Sequence, residues 1–250
     1  TIVFLPGYMS DMAGSKATAL FDWAQENGHA CLLLDYSGCG ESDGDFADGT
    51  LSRWRDEVLA LIAAKLDGPV VLVGSSMGGW LMLLVGLALG ERLAGMVGIA
   101  AAPDFSDWGY SAEQKTSLQS GETVLEDNPY GPEPTPIYAA FWADAQAQRL
   151  LGAPIPIACP VTLLQGQRDA LSVVFALGAQ GVRDQPDRDL AQHRIAQAVS
   201  PKGAELSFVE FRRALDYGDD LRRDRLACVG LRHHDEHVEG KLCGLRERPM

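Results

Sequence analysis

In the first hundred residues, short unbroken apolar runs alternate with longer segments of helical periodicity, and this alternation limits the fold more than anything else in the chain. The apolar runs are Thr1–Leu5, Ala30–Leu34, Val70–Val73 and Leu93–Ala102. Between them, helices are predicted over Ala17–Glu26 (Ser15 as cap, Gly28 as stop), Thr50–Leu66 and Met77–Leu89. Within the second, Trp54, Val58, Leu61 and Ile62 recur at helical spacing. A strand that is apolar at every residue needs cover on both faces. That need predicts the α/β class, a wound and mostly parallel sheet between helices.

The rhythm breaks after Ala102. From about residue 103 to 156 the chain is acidic and carries Trp108, Tyr110, Tyr130, Tyr138, Phe141 and Trp142, with a helix predicted over Ile137–Leu151. Strand character returns at Ile157–Leu164 and ends in GQRD. A long aromatic excursion between two strands of a wound sheet is expected to be a lid over a pocket.

With 46% apolar residues, a chain of 250 residues can bury one large core. The apolar run near Trp80–Leu89 is too short to cross a bilayer, so no transmembrane segment is expected. Five cysteines without a C-x-x-C pair argue against a disulfide framework and a structural zinc site, and no metal or organic cofactor is expected. A net charge of −13 speaks against nucleic acid as a partner, because phosphate binding needs basic patches. No secretory leader is visible, and a cytoplasmic location is expected. Thr1 opens inside an apolar run, so strands that precede it are expected to be missing.

Three segments bring reactive groups to the carboxyl ends of strands, where ligands sit in wound sheets. In VVLVGSSMGGW (70–80), Ser76 occupies the centre of G-x-S-x-G, a pattern that holds a nucleophile on a strained strand-to-helix turn. The Met77 N–H, at the start of the next helix, is expected to face a developing oxyanion. Gly74 and Gly78 permit the sharp turn and close helix–strand packing, and Ser75 stands one place off the pattern. In LPGYMSD (Leu5–Asp11), Gly7 lets the backbone approach a substrate, which makes the Tyr8 N–H a second candidate donor. In LLQGQRDA, Asp169 could orient a histidine and stabilise its charged form. Asp35 is expected to be structural, accepting loop N–H groups, and His29 lies at the edge away from Ser76.

Together GSSMGGW, FLPGYMSDMAGSKA, GHACLLLDYSGCGESDGDF and PIPIACPVTLLQGQRDA resemble the α/β-hydrolase superfamily. Within it, they look like the branch of α/β-hydrolase domain-containing protein ten, which holds acyl-protein thioesterases and acyl-glucuronide esterases. The resemblance covers roughly residues 1–170, lid included. It implies an α/β-hydrolase fold and a serine hydrolase acting on an acyl ester or thioester, small or protein-borne. Ser76 would be the nucleophile, Asp169 the triad acid, and the Tyr8 and Met77 amides the oxyanion hole. Cys39 departs from many relatives in the SGxG turn, with no functional consequence expected.

The resemblance stops after Asp169-Ala170, which divides the chain into a core of 1–170 and a non-matching tail of 171–250. Relatives continue with Val-Pro-Trp-Ser and later present a histidine in a run like His-Arg-Leu-Ser-Arg-Pro. No histidine here matches, and a serine hydroxyl without a base is a weak nucleophile at neutral pH. Composition changes at the same place. Residues 1–170 hold 21 Asp/Glu against 8 Lys/Arg, residues 171–250 hold 13 of each, and arginine rises from 5 to 11. A slip of reading frame accounts for both changes. Read from the second base of each codon, Ser172-Val173-Val174 can encode Pro-Trp-Ser. Likewise, Ile195 through Ala204 can encode Ser-His-Arg-Leu-Ser-Arg-Pro-Lys-Glu-Leu. Residues after about 220 would then be read-through, the tail poorly folded and turnover impaired. The alternatives are a non-catalytic protein that binds acyl ligands under its lid, or a general carboxylesterase. His193 is the competing base, but DLAQHRIAQAV predicts an amphipathic helix that carries it on the surface. His233, His234 and His237, in HHDEH, lack the framework of a closed metal site and are expected to be solvated.

Overall fold

The computed structural model describes residues 1–128, 131–166, 193–198, 229–231 and 240–242. The predicted strands form the centre of one sheet: β1 (Ile2–Leu5), β2 (Cys31–Leu33), β3 (Val70–Ser75), β4 (Leu93–Ile99) and β7 (Val161–Gly166). Three further strands, β8 (His193–Ala198), β9 (Val229–Leu231) and β10 (Gly240–Leu242), extend it to the order β10-β9-β2-β1-β3-β4-β7-β8. Every pair is parallel except β9 with β10.

Alternation along β1 shows why both faces need cover. Ile2 and Phe4 join one cluster with Leu20 and Trp23 of α1 (Ser15–Glu26), while Val3 and Leu5 join another. That second cluster holds Trp54, Val58 and Ile62 of α2 (Leu51–Lys65) and Trp80 and Leu84 of α3 (Met77–Leu89). The sheet is thus sandwiched, as its unbroken apolar strands require. Helix α3 is buried without a break from Met77 to Gly86, which fits an element apolar all round.

The predicted boundaries hold where the chain carries its own stop signals. Thr50 caps α2 by accepting from the Arg53 N–H at 3.2 Å, and Gly28 follows α1 with φ 71°. Ser15, expected to cap α1, is instead its first helical residue, and Gly14 holds the cap position. The predicted 137–151 helix is shorter, because Thr135–Ile137 is drawn into a strand, β6, that pairs with β5 (Val124–Glu126). What remains is α6 (Ala139–Ala147). Strand β7 starts at Val161 rather than Ile157, after Pro160, which has no N–H to give a ladder.

The stretch around His193 is a strand and not the predicted helix. β7 leaves an unpaired edge, and residues 193–198 pair with it from Val161↔His193 to Gly166↔Ala198. Pairing across an open edge outweighs the local helical pattern.

Residues 103–156 form the expected excursion between β4 and β7. It holds α4 (Phe105–Trp108), α5 (Ala112–Gln119), the β5–β6 hairpin and α6. Two buttresses fix it. The buried Asp104 carboxylate accepts from the Leu150 and Leu151 N–H groups at 2.8–3.0 Å, closing the base of the excursion. Asp144 of α6 accepts from the Ser52 N–H at 2.9 Å and from its hydroxyl at 2.5 Å, joining the excursion to the start of α2. Among the described residues, no helix is long and apolar enough to cross a membrane.

Candidate active site

β3 ends at Ser75 and α3 begins at Met77, so Ser76 alone makes the turn. Its backbone sits at φ 53° and ψ −121°, a combination that side-chain-bearing residues seldom adopt. Three hydrogen bonds hold it there. The Ser76 N–H donates to the Ile99 carbonyl at 3.0 Å, and the Ser76 carbonyl accepts from Gly79 and Ala102 at 2.9 and 3.0 Å. The neighbouring glycines have no room for a side chain. A Cβ at Gly74 would lie 2.3 Å from the Gly78 carbonyl oxygen, and one at Gly78 only 2.0 Å from that of Leu5. Ser76 is partly buried, whereas its neighbour Ser75 is buried, at 9% exposed.

The LPGYMSD loop packs directly against this turn. A Cβ built at Gly7 would stand 3.4 Å from the Ser76 Cβ and 3.4 Å from the Ser75 carbonyl oxygen. Tyr8 follows Gly7 in the chain, and Met77 follows Ser76. Among the described residues, four non-glycine residues have positive φ: Met9, Ser76, Ala100 and Asp104. All four follow the carboxyl ends of β1, β3 or β4. Such geometry costs free energy and persists only where the surrounding structure holds it in place.

Asp35 behaves as expected. Its carboxylate accepts from the Met12 N–H at 2.7 Å and the Glu41 N–H at 3.1 Å, tying two loops together. His29 precedes β2, and its ring stacks on Trp23 at 5.3 Å between centroids. It lies at the opposite sheet edge from Ser76. Asp169 lies outside the described residues, as do His233, His234 and His237.

The backbone placement of His193 can be read from the ladder. Ser75 pairs with Ile99, Ile99 with Leu164, and Leu164 with Ala196. The His193 backbone is three residues short of that level, about 10 Å toward the other sheet edge, and three strands away, about 14 Å. It is not at the end of the sheet that carries Ser76.

The Tyr8 ring meets an aromatic wall drawn from both the core and the 103–156 excursion. Its ring centroid is 4.9 Å from Phe46 and 4.9 Å from Phe141, and Phe105 and Trp54 lie within 6.5 Å. The Tyr8 hydroxyl donates to the Pro136 carbonyl in the β5–β6 hairpin at 2.9 Å. Burial, with lesser help from the Tyr138 phenol and the Cys39 thiol, pushes the Tyr8 phenol well up, so it stays a donor. Burial likewise pushes the Cys39 thiol up to about 12, aided by the Asp35, Glu57 and Asp11 carboxylates. Neither the Tyr8 side chain nor the Asp104 and Asp144 buttresses were legible in the sequence, because each bond spans 40 residues or more.

A wound parallel sheet with a strained serine turn between β3 and α3 defines a class, and residues 2–230 match the model of the alpha/beta hydrolase family. The chain belongs to that family. It is 39% identical over 172 residues to human palmitoyl-protein thioesterase ABHD10, mitochondrial, a match covering 67% of this chain and 56% of that protein. The chain thus spans little more than half the length of the curated relatives it matches. The structure of alpha/beta hydrolase domain-containing protein 10 from mouse superposes with a TM-score of 0.70 at 30% identity, covering 88% of each chain. A hydrolase structure from Agrobacterium vitis S4 superposes with a TM-score of 0.73 at 31% identity, covering 86% of each.

Proposed function

We propose that the chain is a serine hydrolase of acyl thioesters or carboxylic esters, working through a Ser76 acyl-enzyme. The observation that carries this reading is the Ser76 turn itself: a partly buried serine on disfavoured backbone, held by three hydrogen bonds beside the Gly7 main chain. Ser76 Oγ attacks the acyl carbon and gives its proton to a base oriented by Asp169. The Tyr8 and Met77 N–H groups take up the oxyanion. The thiol or alcohol leaves with the proton, and water then attacks the acyl-enzyme, releasing the acid and restoring the serine. The names of the human and mouse relatives support an acylated protein as substrate, with a small acyl ester as the other candidate.

The base is the weak point of this chain. Of the described histidines, His29 and His193, neither stands at the edge that carries Ser76. Turnover is therefore reduced, and the frame slip after Ala170 is its cause. This placement also favours a second reading, a non-catalytic relative that binds acyl ligands. A fluorophosphonate probe separates the two. Labelling that vanishes in Ser76→Ala supports the nucleophile, and no labelling of the unaltered protein favours the binding protein. Matched thioester and oxyester substrates distinguish a thioesterase from a general carboxylesterase. Sequencing codons 165–210 tests the slip, which fails unless the second frame spells both motifs. The cytoplasmic location expected from the sequence stands against the mitochondrial names of the relatives, and a fluorescent fusion of the whole gene product would decide it.

A further inference from the structure

The loop that flanks Ser76 is tied down at both ends. The Pro6 carbonyl accepts from the Tyr36 hydroxyl at 3.2 Å, and the Met12 N–H donates to Asp35 at 2.7 Å. Its middle is different. There the Ser10 N–H donates to the Gly7 carbonyl at 3.2 Å, closing a turn on itself, and Met9 within that turn is 51% exposed at φ 52°. What holds the middle is the Tyr8 side chain. Its ring is wedged among Phe46 and Trp54 of the core and Phe105 and Phe141 of the lid. Its hydroxyl reaches the carbonyl of Pro136, which pairs with Leu125 across the lid hairpin.

We infer that Tyr8 is a positioning residue whose hydroxyl, bonded to the Pro136 carbonyl, ties the lid hairpin to the loop that sets the Tyr8 amide beside Ser76. Closing the lid and completing the amide pair around the nucleophile are then one event. The catalytic half of this inference rests on the serine-hydrolase reading above. The mechanical half does not. A lid displaced from the hairpin side must either break the Tyr8–Pro136 bond or pull residue 8 away from Ser76, because the Ser10–Gly7 bond closes the turn on itself and does not reach another segment.

Tyr8→Phe removes the hydroxyl and keeps the ring, so its packing survives. Two readouts apply. Hydrogen–deuterium exchange is expected to quicken by about fivefold both in the hairpin strands (Val124–Glu126 and Thr135–Ile137) and in residues 7–12. Inactivation by a fluorophosphonate is expected to show a maximal rate lowered about fivefold with the half-saturating concentration unchanged, since the amide matters to the reacting state and not to probe capture. Asp144→Asn serves as the contrast. It loosens the lid at α6 while leaving Tyr8 intact, so residues 139–147 should exchange faster and residues 7–12 should not.

Exchange confined to one end in Tyr8→Phe overturns the coupling, as does an equal response of residues 7–12 to Asp144→Asn. A loss that falls wholly on the half-saturating concentration overturns the positioning role and makes Tyr8 a binding residue. If the unaltered protein takes no label, the nucleophile reading fails by itself, and exchange alone decides whether hairpin and loop are linked.

Discussion

At the scale of single residues, the site is built by denying space. Gly78 is pressed against the end of β1, with the Leu5 and Pro6 carbonyl oxygens 2.0 and 2.5 Å from where a Cβ would stand. Both are backbone atoms, so Gly78→Ala must displace β1 or α3. We expect a loss of about 2–3 kcal/mol in urea unfolding, and a loss below about 1 kcal/mol would show that the turn yields easily. Glycine spacing made this position legible, since G-x-S-x-G states its own geometry. Tyr8 was half legible: its place after Pro-Gly pointed to the amide, but nothing local pointed to Pro136, 128 residues away. The buried thiols follow the same logic of exclusion. Burial raises Cys39 to about 12 and Cys159 to about 11, so both remain protonated thiols at pH 8. Maleimide at that pH should leave both unmodified in the folded protein and modify both in urea, as peptide mass spectrometry would show. Rapid native labelling of either would mean that the site opens to solvent.

Elements were legible in proportion to the signals they carry themselves. Helix α3, expected from Met77 to about Leu89, spans Met77–Leu89, and an unbroken apolar stretch after the serine turn made it legible. Helix α6 was overextended, since residues 135–137 answer to a strand partner at 124–126 that no local pattern announces. β8 was misread as a helix for the same reason, its state being set by the open edge of β7. The excursion depends on Asp104, whose carboxylate serves two amides at its far end. Asp104→Ala leaves the Leu150 and Leu151 N–H groups without that acceptor and should cost about 2–4 kcal/mol. Brief proteolysis should then cut within 103–156 before anywhere in the sheet. Equal resistance of variant and parent would show that α6 is held by its other contacts.

Over the whole molecule, the alternation of apolar runs was enough to predict a sheet covered on both faces, and two clusters split by β1's odd and even residues realise it. The proposed triad could not be read in the same way, because it would be assembled from distant segments, and Asp169 lies outside the described residues. If the frame slip impairs turnover, restoring the frame after Ala170 should raise ester turnover by about a thousandfold or more. Turnover that stays flat would place the defect elsewhere. The ladder also acts as a ruler for anyone wishing to repair the existing protein. A histidine grafted at the start of β8 arrives at the wrong rim, as His193 does. The strand comes level with Gly166 only at Ala198, so a transplanted base belongs downstream of that point. On the proposed reading of an impaired hydrolase, free imidazole in solution would be the other source of a base.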